Sequence, residues 1–298
     1  MSDDRRVQFD FEIDFSNGGG IQGQGFRLDI DGDDIDDDAL AAYIVRDLRL
    51  LMVGAVRILN KTILHERHKR AAAPAGEAGE PARIVDLAHT IEHGMITYRG
   101  LPAPIVCDFL SREKSRALYA EGTEFQIGHI AMCANTGTYV DVPFHRYADG
   151  EDLADVGVAR LANLPGVVVR VTGMAGRAID REAFMASDVA GKAVLVHTGW
   201  AAHWRTDRYF EGHPFLTAAA AQYLADAGAA LVGIDSFNID DTSGGERPVH
   251  TILLGAGIPI VEHLRGLEAL PESGFRFTAA PPKVRGMGTF TVRAFAVV

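Results

Sequence analysis

The chain has 298 residues, 29 basic against 40 acidic side chains, and so a formal net charge of −11. Its 47% hydrophobic and 23% charged residues are enough for a sizeable core, in one large domain or two smaller ones. No basic face is available to displace counterions from phosphates, which excludes nucleic acid as a partner.

The charge is uneven: residues 1–40 hold 12 acids and 3 bases, the remainder 28 acids and 26 bases. Cys107 and Cys133 are too few for a disulfide framework or a cysteine-rich zinc site, and read as two buried reduced thiols. The opening Met-Ser-Asp-Asp-Arg-Arg has no apolar signal-peptide core, and no run reaches the roughly 18 apolar residues of a membrane span. A soluble cytoplasmic protein with no membrane partner is the expectation.

Residues 7–15, Val-Gln-Phe-Asp-Phe-Glu-Ile-Asp-Phe, alternate apolar and polar and predict a half-buried strand. Ser16-Asn17-Gly18-Gly19-Gly20 predicts a turn, and Phe26–Ile30 a second strand able to pair with the first. Asp36-Asp37-Asp38 precedes an apolar-periodic run from Ala39, where acids favour a helix N-terminus. Leu51–Ile63 predicts a third strand. Residues 1–70 thus form a small acidic ββαβ unit, and residues 71–82, all small residues, Pro, Gly and Glu, form a linker. From Arg83 the predicted strands are Val167–Val171, Ala193–His197, Ala230–Asp235, Ile258–Glu262, Phe275–Ala279 and Phe290–Val298. Thr217–Ala227 predicts a helix with Thr217 as N-cap and Gly228 just past its end, and Asp180–Ala186 a shorter one. The order is neither strictly alternating nor all-β, which fits an α/β or α+β domain over 83–298.

Three motifs fail on context. Gly18-x-Gly20-x-x-Gly23 matches a dinucleotide fingerprint by letters, but a strand pattern follows it rather than a helix. A calcium loop starting at Asp29 would need Gly and Glu where Asp34 and Leu40 stand. His65-Glu66-Arg67-His68 is one residue short of the zincin spacing.

The segment that carries chemistry is Asn135-Thr136-Gly137-Thr138-Tyr139-Val140-Asp141-Val142-Pro143-Phe144-His145. In an extended chain residues of equal parity share a face, so Tyr139 and Asp141 point the same way. Asn135 and His145 join them if the chain stays extended, and the set suits a metal or a proton-transfer site. A second element runs from His250 to Glu262, where a carboxylate ends an apolar strand and is costly unless paired or metal-bound.

At these two segments the chain, over roughly 215 of its 298 residues, resembles the cyclase superfamily that includes bacterial kynurenine formamidases and isatin hydrolases. That family carries a His-x-Gly-Thr-His-x-Asp-x-Pro-x-His motif and a later His and Glu twelve residues apart, as His250 and Glu262 are here. Asp86-Leu87-Ala88-His89-Thr90-Ile91, Val196-His197-Thr198-Gly199-Trp200 and Gly233-Ile234-Asp235-Ser236 are family-like as well.

The resemblance implies a swivelling β/β/α domain, a homodimer or homotetramer, a small-molecule substrate, and a metal-dependent hydrolase of cyclic or aryl amides. It also implies that both early motif histidines and the Asp bind metal, that the last motif His transfers protons, and that the later His and Glu complete a second metal position. Asp141, His145, His250 and Glu262 are retained, whereas Asn135 and Tyr139 replace the two metal-binding histidines.

An amide oxygen and a neutral phenol are weak zinc ligands. The expectation is therefore one divalent ion, zinc or manganese, held by Asp141, His250 and Glu262. His145 would act as general base or acid, and Tyr139 or Asn135 would donate a hydrogen bond to the oxyanion. The reaction would be hydrolysis of an amide or lactone, an aryl formamide or a cyclic amide, by a metal-activated water. A metal-free cyclase or dehydratase and a non-catalytic binding protein are the alternatives. Phe144, Tyr147, Trp200, Trp204 and Phe237 are the aromatic residues available to line a pocket, although core packing accounts for most of them.

Overall fold

The structure is a computed structural model that describes residues 5–30, 32–48, 50, 52–65 and 82–298. Contacts divide the chain into two compact units, Met1–Gly79 and Glu80–Val298. The expected linker lies outside the described residues except for residue 82.

In the first unit β1 (Arg5–Phe15) is central and pairs antiparallel with β2 (Gly20–Ile30) and with β3 (Val53–His65). The predicted alternation is realised: Val7, Phe9, Phe11 and Ile13 are buried, and α1 (Asp37–Asp47) sets Leu40 and Ile44 against them. Asp36 caps α1 by accepting from the Ala39 N–H at 2.7 Å. β2 starts six residues earlier than the alternation indicated. A Cβ at Gly23 would lie 2.3 Å from the Phe11 ring, so this glycine makes room for a core aromatic. The glycines that mimic a dinucleotide fingerprint thus belong to a hairpin.

The second unit contains β4 (Ile84–Asp86), β5 (Ile105–Leu110), the single turn α2 (Arg112–Ser115), β6 (Ile127–Ala131), β7 (Tyr139–Asp141), β8 (Leu164–Arg170) and β9 (Ala178–Ile179). There follow β10 (Ala193–His197), β11 (Phe215–Leu216), α3 (Ala218–Asp226), β12 (Leu231–Ile234), α4 (Pro248–Gly255), β13 (Ile260–Glu262), β14 (Ser273–Thr278), β15 (Thr289–Thr291) and β16 (Phe295–Val297). Nine of these strands form one mixed sheet, in the order β15-β7-β13-β12-β10-β8-β14-β16-β4. The central β13, β12, β10 and β8 are parallel, and the flanking strands are antiparallel.

Every residue of β10 and β12 is buried, as expected of parallel strands covered on both faces. One face packs on α3 and α4 through Ala220, Leu224, Val249 and Leu253, and the other on a second core that includes Leu153, Leu195, Val261 and Phe277. Thr217 caps α3 as predicted, accepting from the Ala220 N–H at 3.1 Å.

The order of strands requires the sheet to curl. β15 and β16 are separated by only residues 292–294, yet they stand first and eighth in the sheet. Seven flat inter-strand steps would span about 34 Å, whereas the connecting chain reaches about 14 Å. The single strand predicted over Phe290–Val298 is accordingly two strands serving opposite ends of a rolled sheet. Asp180–Ala186 forms only a 3-10 turn over Arg181–Ala183. The β5–β6 hairpin has no counterpart among the predicted elements; Cys107 within it is exposed and Cys133, just beyond it, is half-buried, correcting the expectation of two buried thiols.

Candidate metal centre

The site forms where β7 pairs with both β13 and β15. Register places Tyr139 opposite Glu262 and puts Ile260 and Thr289 either side of Asp141. Tyr139 and Asp141 therefore share a face, as their parity predicts. Pro143 ends the extended run and opens a 3-10 turn whose last residue is His145. Gly288 is required there, since a Cβ on it would lie 2.1 Å from the His145 backbone nitrogen.

His250 arrives from the first turn of α4. Its backbone N–H and that of Val249 donate to the Asp240 carboxylate at 3.0 and 2.8 Å, and its Nδ1 lies 2.6 Å from Asp240 Oδ2. One buried carboxylate thus caps the helix and orients the imidazole. A carboxylate only accepts, so Nδ1 carries the proton and Nε2 is the free ligand atom of the neutral ring.

Thr289 plays a comparable part on the other side. Its hydroxyl donates to Asp141 Oδ1, and His145 Nδ1 lies 2.8 Å from that hydroxyl's own oxygen, Thr289 Oγ1. With the hydroxyl proton given to Asp141, His145 Nδ1 must donate, which leaves Nε2 with the lone pair.

Asp141, His145 and His250 can each offer a ligand atom within 4.8 Å of the others. Asp141 is wholly buried, and its Oδ2 has no hydrogen-bond partner although it lies 3.7 Å from His250 Nε2. An unpartnered carboxylate oxygen among imidazoles, in a buried site, fits a divalent cation. Burial alone would depress the His250 pKa, yet the neighbouring Asp141 carboxylate, the hydrogen bond to Asp240 and the charge of Glu262 raise it to about 10. Without a metal, a proton on His250 supplies the positive charge that the surrounding carboxylates demand.

Glu262 stands next to this group rather than in it. Its Oε1 lies 3.9 Å from His250 Nε2 and accepts from the Ile239 N–H at 2.6 Å, and its Oε2 accepts from the Tyr139 hydroxyl. Burial raises its pKa to about 7 against the opposing charge of His250. Burial, then the Glu262 charge, pushes the Tyr139 phenol well above its usual pKa, so Tyr139 is a neutral donor.

His145, expected as the acid–base group, lies in the potential ligand cluster, whereas Glu262, expected as a ligand, has both oxygens engaged. Tyr139, expected among the oxyanion donors, has its only proton directed to Glu262.

A cavity of about 290 Å³ opens over these residues, and Asn135, Tyr139, His145, His250 and Glu262 all line it. Tyr98 and Asn238 complete a wall that sequence reasoning missed: Asn238 Nδ2 donates to Tyr98 Oη, which lies 3.3 Å from Tyr139 Oη. None of Phe144, Tyr147, Trp200, Trp204 and Phe237 lines the cavity. Trp204 and Phe237 instead pack edge-on around the buried His263. Asp240 and Thr289 were missed as well. The one signal for Asp240 is an acid that continues the alternation Phe237-Asn238-Ile239-Asp240 into the core.

The other family-like stretches have structural roles. Asp235, at the end of β12, accepts from the Thr198 N–H and hydroxyl and from the Gly199 N–H, tying two parallel strand ends together. Thr138 accepts from the His89 N–H and donates to the His263 carbonyl.

Comparison with known proteins gives a consistent picture. Residues 85–241, more than half of the chain, match the family described as "Putative cyclase". A kynurenine formamidase of Geobacillus thermodenitrificans is 29% identical over 173 residues, 57% of this chain and 79% of that protein. One from Bacillus cereus is 26% identical over 175 residues, 58% of this chain and 81% of that protein. A solved structure described as a potential metal-dependent hydrolase with cyclase activity superposes with a TM-score of 0.60 at 26% identity, over 73% of this chain and 98% of its own. Isatin hydrolase A from Labrenzia aggregata superposes with a TM-score of 0.62 at 21% identity, over 73% of this chain and 94% of its own, a likeness of fold.

Proposed function

The chain belongs to the cyclase family, and from that premise we propose that it is a metal-dependent hydrolase of a small amide or lactone, in the aryl formamide or cyclic amide class. The observation that carries this reading is the convergence of Asp141, His145 and His250 around a buried carboxylate oxygen that has no other partner. One divalent ion, zinc or manganese, would be held there. When bound, such an ion polarises a carbonyl and lowers the pKa of water to about 7.

The chain's own residues supply the rest. Asp240 and Thr289 hold the two imidazoles in their ligating tautomers. Asn135, on the cavity wall, offers amide hydrogens to the carbonyl oxygen as charge develops on it. Glu262, with its pKa raised to about 7, takes the proton of the attacking water and returns it to the leaving nitrogen or oxygen. Purified protein is expected to hydrolyse members of a panel of aryl formamides, cyclic amides and lactones, to lose the activity to a chelator, and to recover it with zinc or manganese. Turnover unchanged by chelation would overturn the metal assignment.

Replacing Asn135→His and Tyr139→His together is expected to raise bound metal from about one to about two ions per chain. The change removes the phenol that occupies Glu262 Oε2 and adds two imidazoles. Elemental analysis of the dialysed variant measures this, and a stoichiometry that stays at one would show that Tyr139 does not stand in a ligand position.

Self-association is part of the proposal, the partner being a second copy of this chain. It is supported by the apolar surface of the β5–β6 hairpin, where Val106, Phe109, Ile127 and Ile130 are exposed and Phe109 is 77% accessible. Phe109→Glu is expected to reduce the mass measured by light scattering from that of a dimer or tetramer toward a monomer. An unchanged mass would place the interface elsewhere. Among the described residues no helix is long and apolar enough to cross a membrane.

A further inference from the structure

In a chain of net charge −11, the charged lining of the cavity has the opposite bias. Arg146 and Arg247 line it together with a single carboxylate, Glu262, whose oxygens are already engaged. Neither arginine forms an ion pair among the described residues.

Both guanidiniums are held in place by one edge only. Arg247 directs Nη1 at the carbonyl oxygens of Asp241, Gly244 and Glu246, at 3.3, 2.9 and 2.6 Å. Its Nε and Nη2 have no acceptor among the described residues. Arg146 donates from Nε to Thr251 Oγ1 at 3.2 Å and lies over the Tyr147 ring at 5.4 Å, and its two terminal nitrogens are likewise without an acceptor. Thr251 links the pair, since its hydroxyl donates to the Arg247 carbonyl at 2.8 Å. The two arginines are therefore fixed to the same first turn of α4 that carries His250. A guanidinium anchored at one edge presents parallel N–H donors at the other, a geometry that matches the two oxygens of a carboxylate.

We propose that the cavity recognises a substrate bearing a carboxylate, which Arg146 and Arg247 grip while the scissile bond lies at Asp141, His145 and His250. The inference rests on the hydrolase reading for the identity of that bond, but not for the anion preference itself. Arg146 and Arg247 are then residues that determine specificity.

The test compares benzoate with benzamide by calorimetric titration of the protein as purified, with metal content measured in every sample. Benzoate is expected to bind at least about 10-fold more tightly, the value of one charge-assisted hydrogen-bonded pair. In Arg146→Gln and in Arg247→Gln the preference is expected to fall to about 2-fold or less at unchanged metal content, and Arg146→Lys is expected to restore part of it. Arg146 is exposed and has one hydrogen bond to the protein, so its variants keep the test valid should Arg247→Gln fail to fold.

Equal binding of benzoate and benzamide would overturn the proposal. So would a preference that survives both substitutions, or tighter binding of inorganic phosphate than of benzoate. A benzoate preference without hydrolysis of any panel member would refute the hydrolase reading and leave this inference standing. Hydrolysis with no preference for acidic compounds would do the reverse.

Discussion

Asp141→Asn is expected to abolish retention of a divalent metal and to lower turnover by at least about 100-fold, with the fold preserved. The substitution keeps the shape of the side chain and an oxygen able to accept from Thr289. It removes the negative charge from an oxygen that is buried, unpartnered and 3.7 Å from His250 Nε2. Residues that merely orient metal ligands are worth roughly 10–100-fold in affinity or activity, so a ligand itself should cost more. Stability of the metal-free protein should fall, because the charge removed pairs with the protonated His250 when no metal is bound. Elemental analysis, steady-state turnover and urea unfolding of the same preparation separate these effects. An Asp141→Asn protein that kept its metal would show that the ion lies elsewhere.

The second large effect is expected at Asp240, which the family-motif reading did not single out. Asp240→Ala should weaken metal retention by roughly 10–100-fold and also lower stability by about 1–3 kcal/mol. Both follow from one carboxylate that accepts from Val249 N–H, His250 N–H and His250 Nδ1. Removing it uncaps α4, leaves buried donors unpaired and frees the imidazole to adopt the other tautomer. Asp240→Asn separates the two roles, since its amide oxygen can still cap the helix while the fixed tautomer is lost. Its unfolding midpoint should lie closer to that of the wild type than its metal affinity does. Equal recovery of both would mean that Asp240 acts only through the helix.

What could be read from the chain follows from how local each determinant is. The shared face of Tyr139 and Asp141 is a consequence of strand parity, and the burial of Val7, Phe9, Phe11 and Ile13 of the same alternation. The cap at Thr217 needs only three residues of context. The partners of the site are different in kind. Thr289 reaches Asp141 only because the sheet curls and β15 pairs with β7, and Asp240 reaches His250 only because a loop folds back under α4.

The hydrogen-bond partners of the expected ligands are non-local for the same reason. Position in a motif does not reveal that Tyr139 already occupies Glu262, or that Thr289 already fixes the tautomer of His145. The β5–β6 hairpin escaped because apolar residues fall on both of its faces, so no alternation marks it. Ile105, Val106 and Phe109 are all exposed.

Replacement of two imidazoles by Asn135 and Tyr139 does not leave the site half built. The phenol returns a hydrogen bond to Glu262 and keeps its own proton, so a carboxylate that would face a second cation is satisfied without one. The electrostatic demand for positive charge then concentrates on Asp141, beside His250, and the single ion proposed here would meet it.

Anomalous scattering from a crystal grown with manganese or zinc and recorded at that metal's absorption edge tests this claim most directly. One peak per chain is expected, bonded to Asp141, His145 and His250, with the Tyr139 hydroxyl still on Glu262. Two peaks, a peak bonded to Tyr139 or Asn135, or none at Asp141 would contradict it.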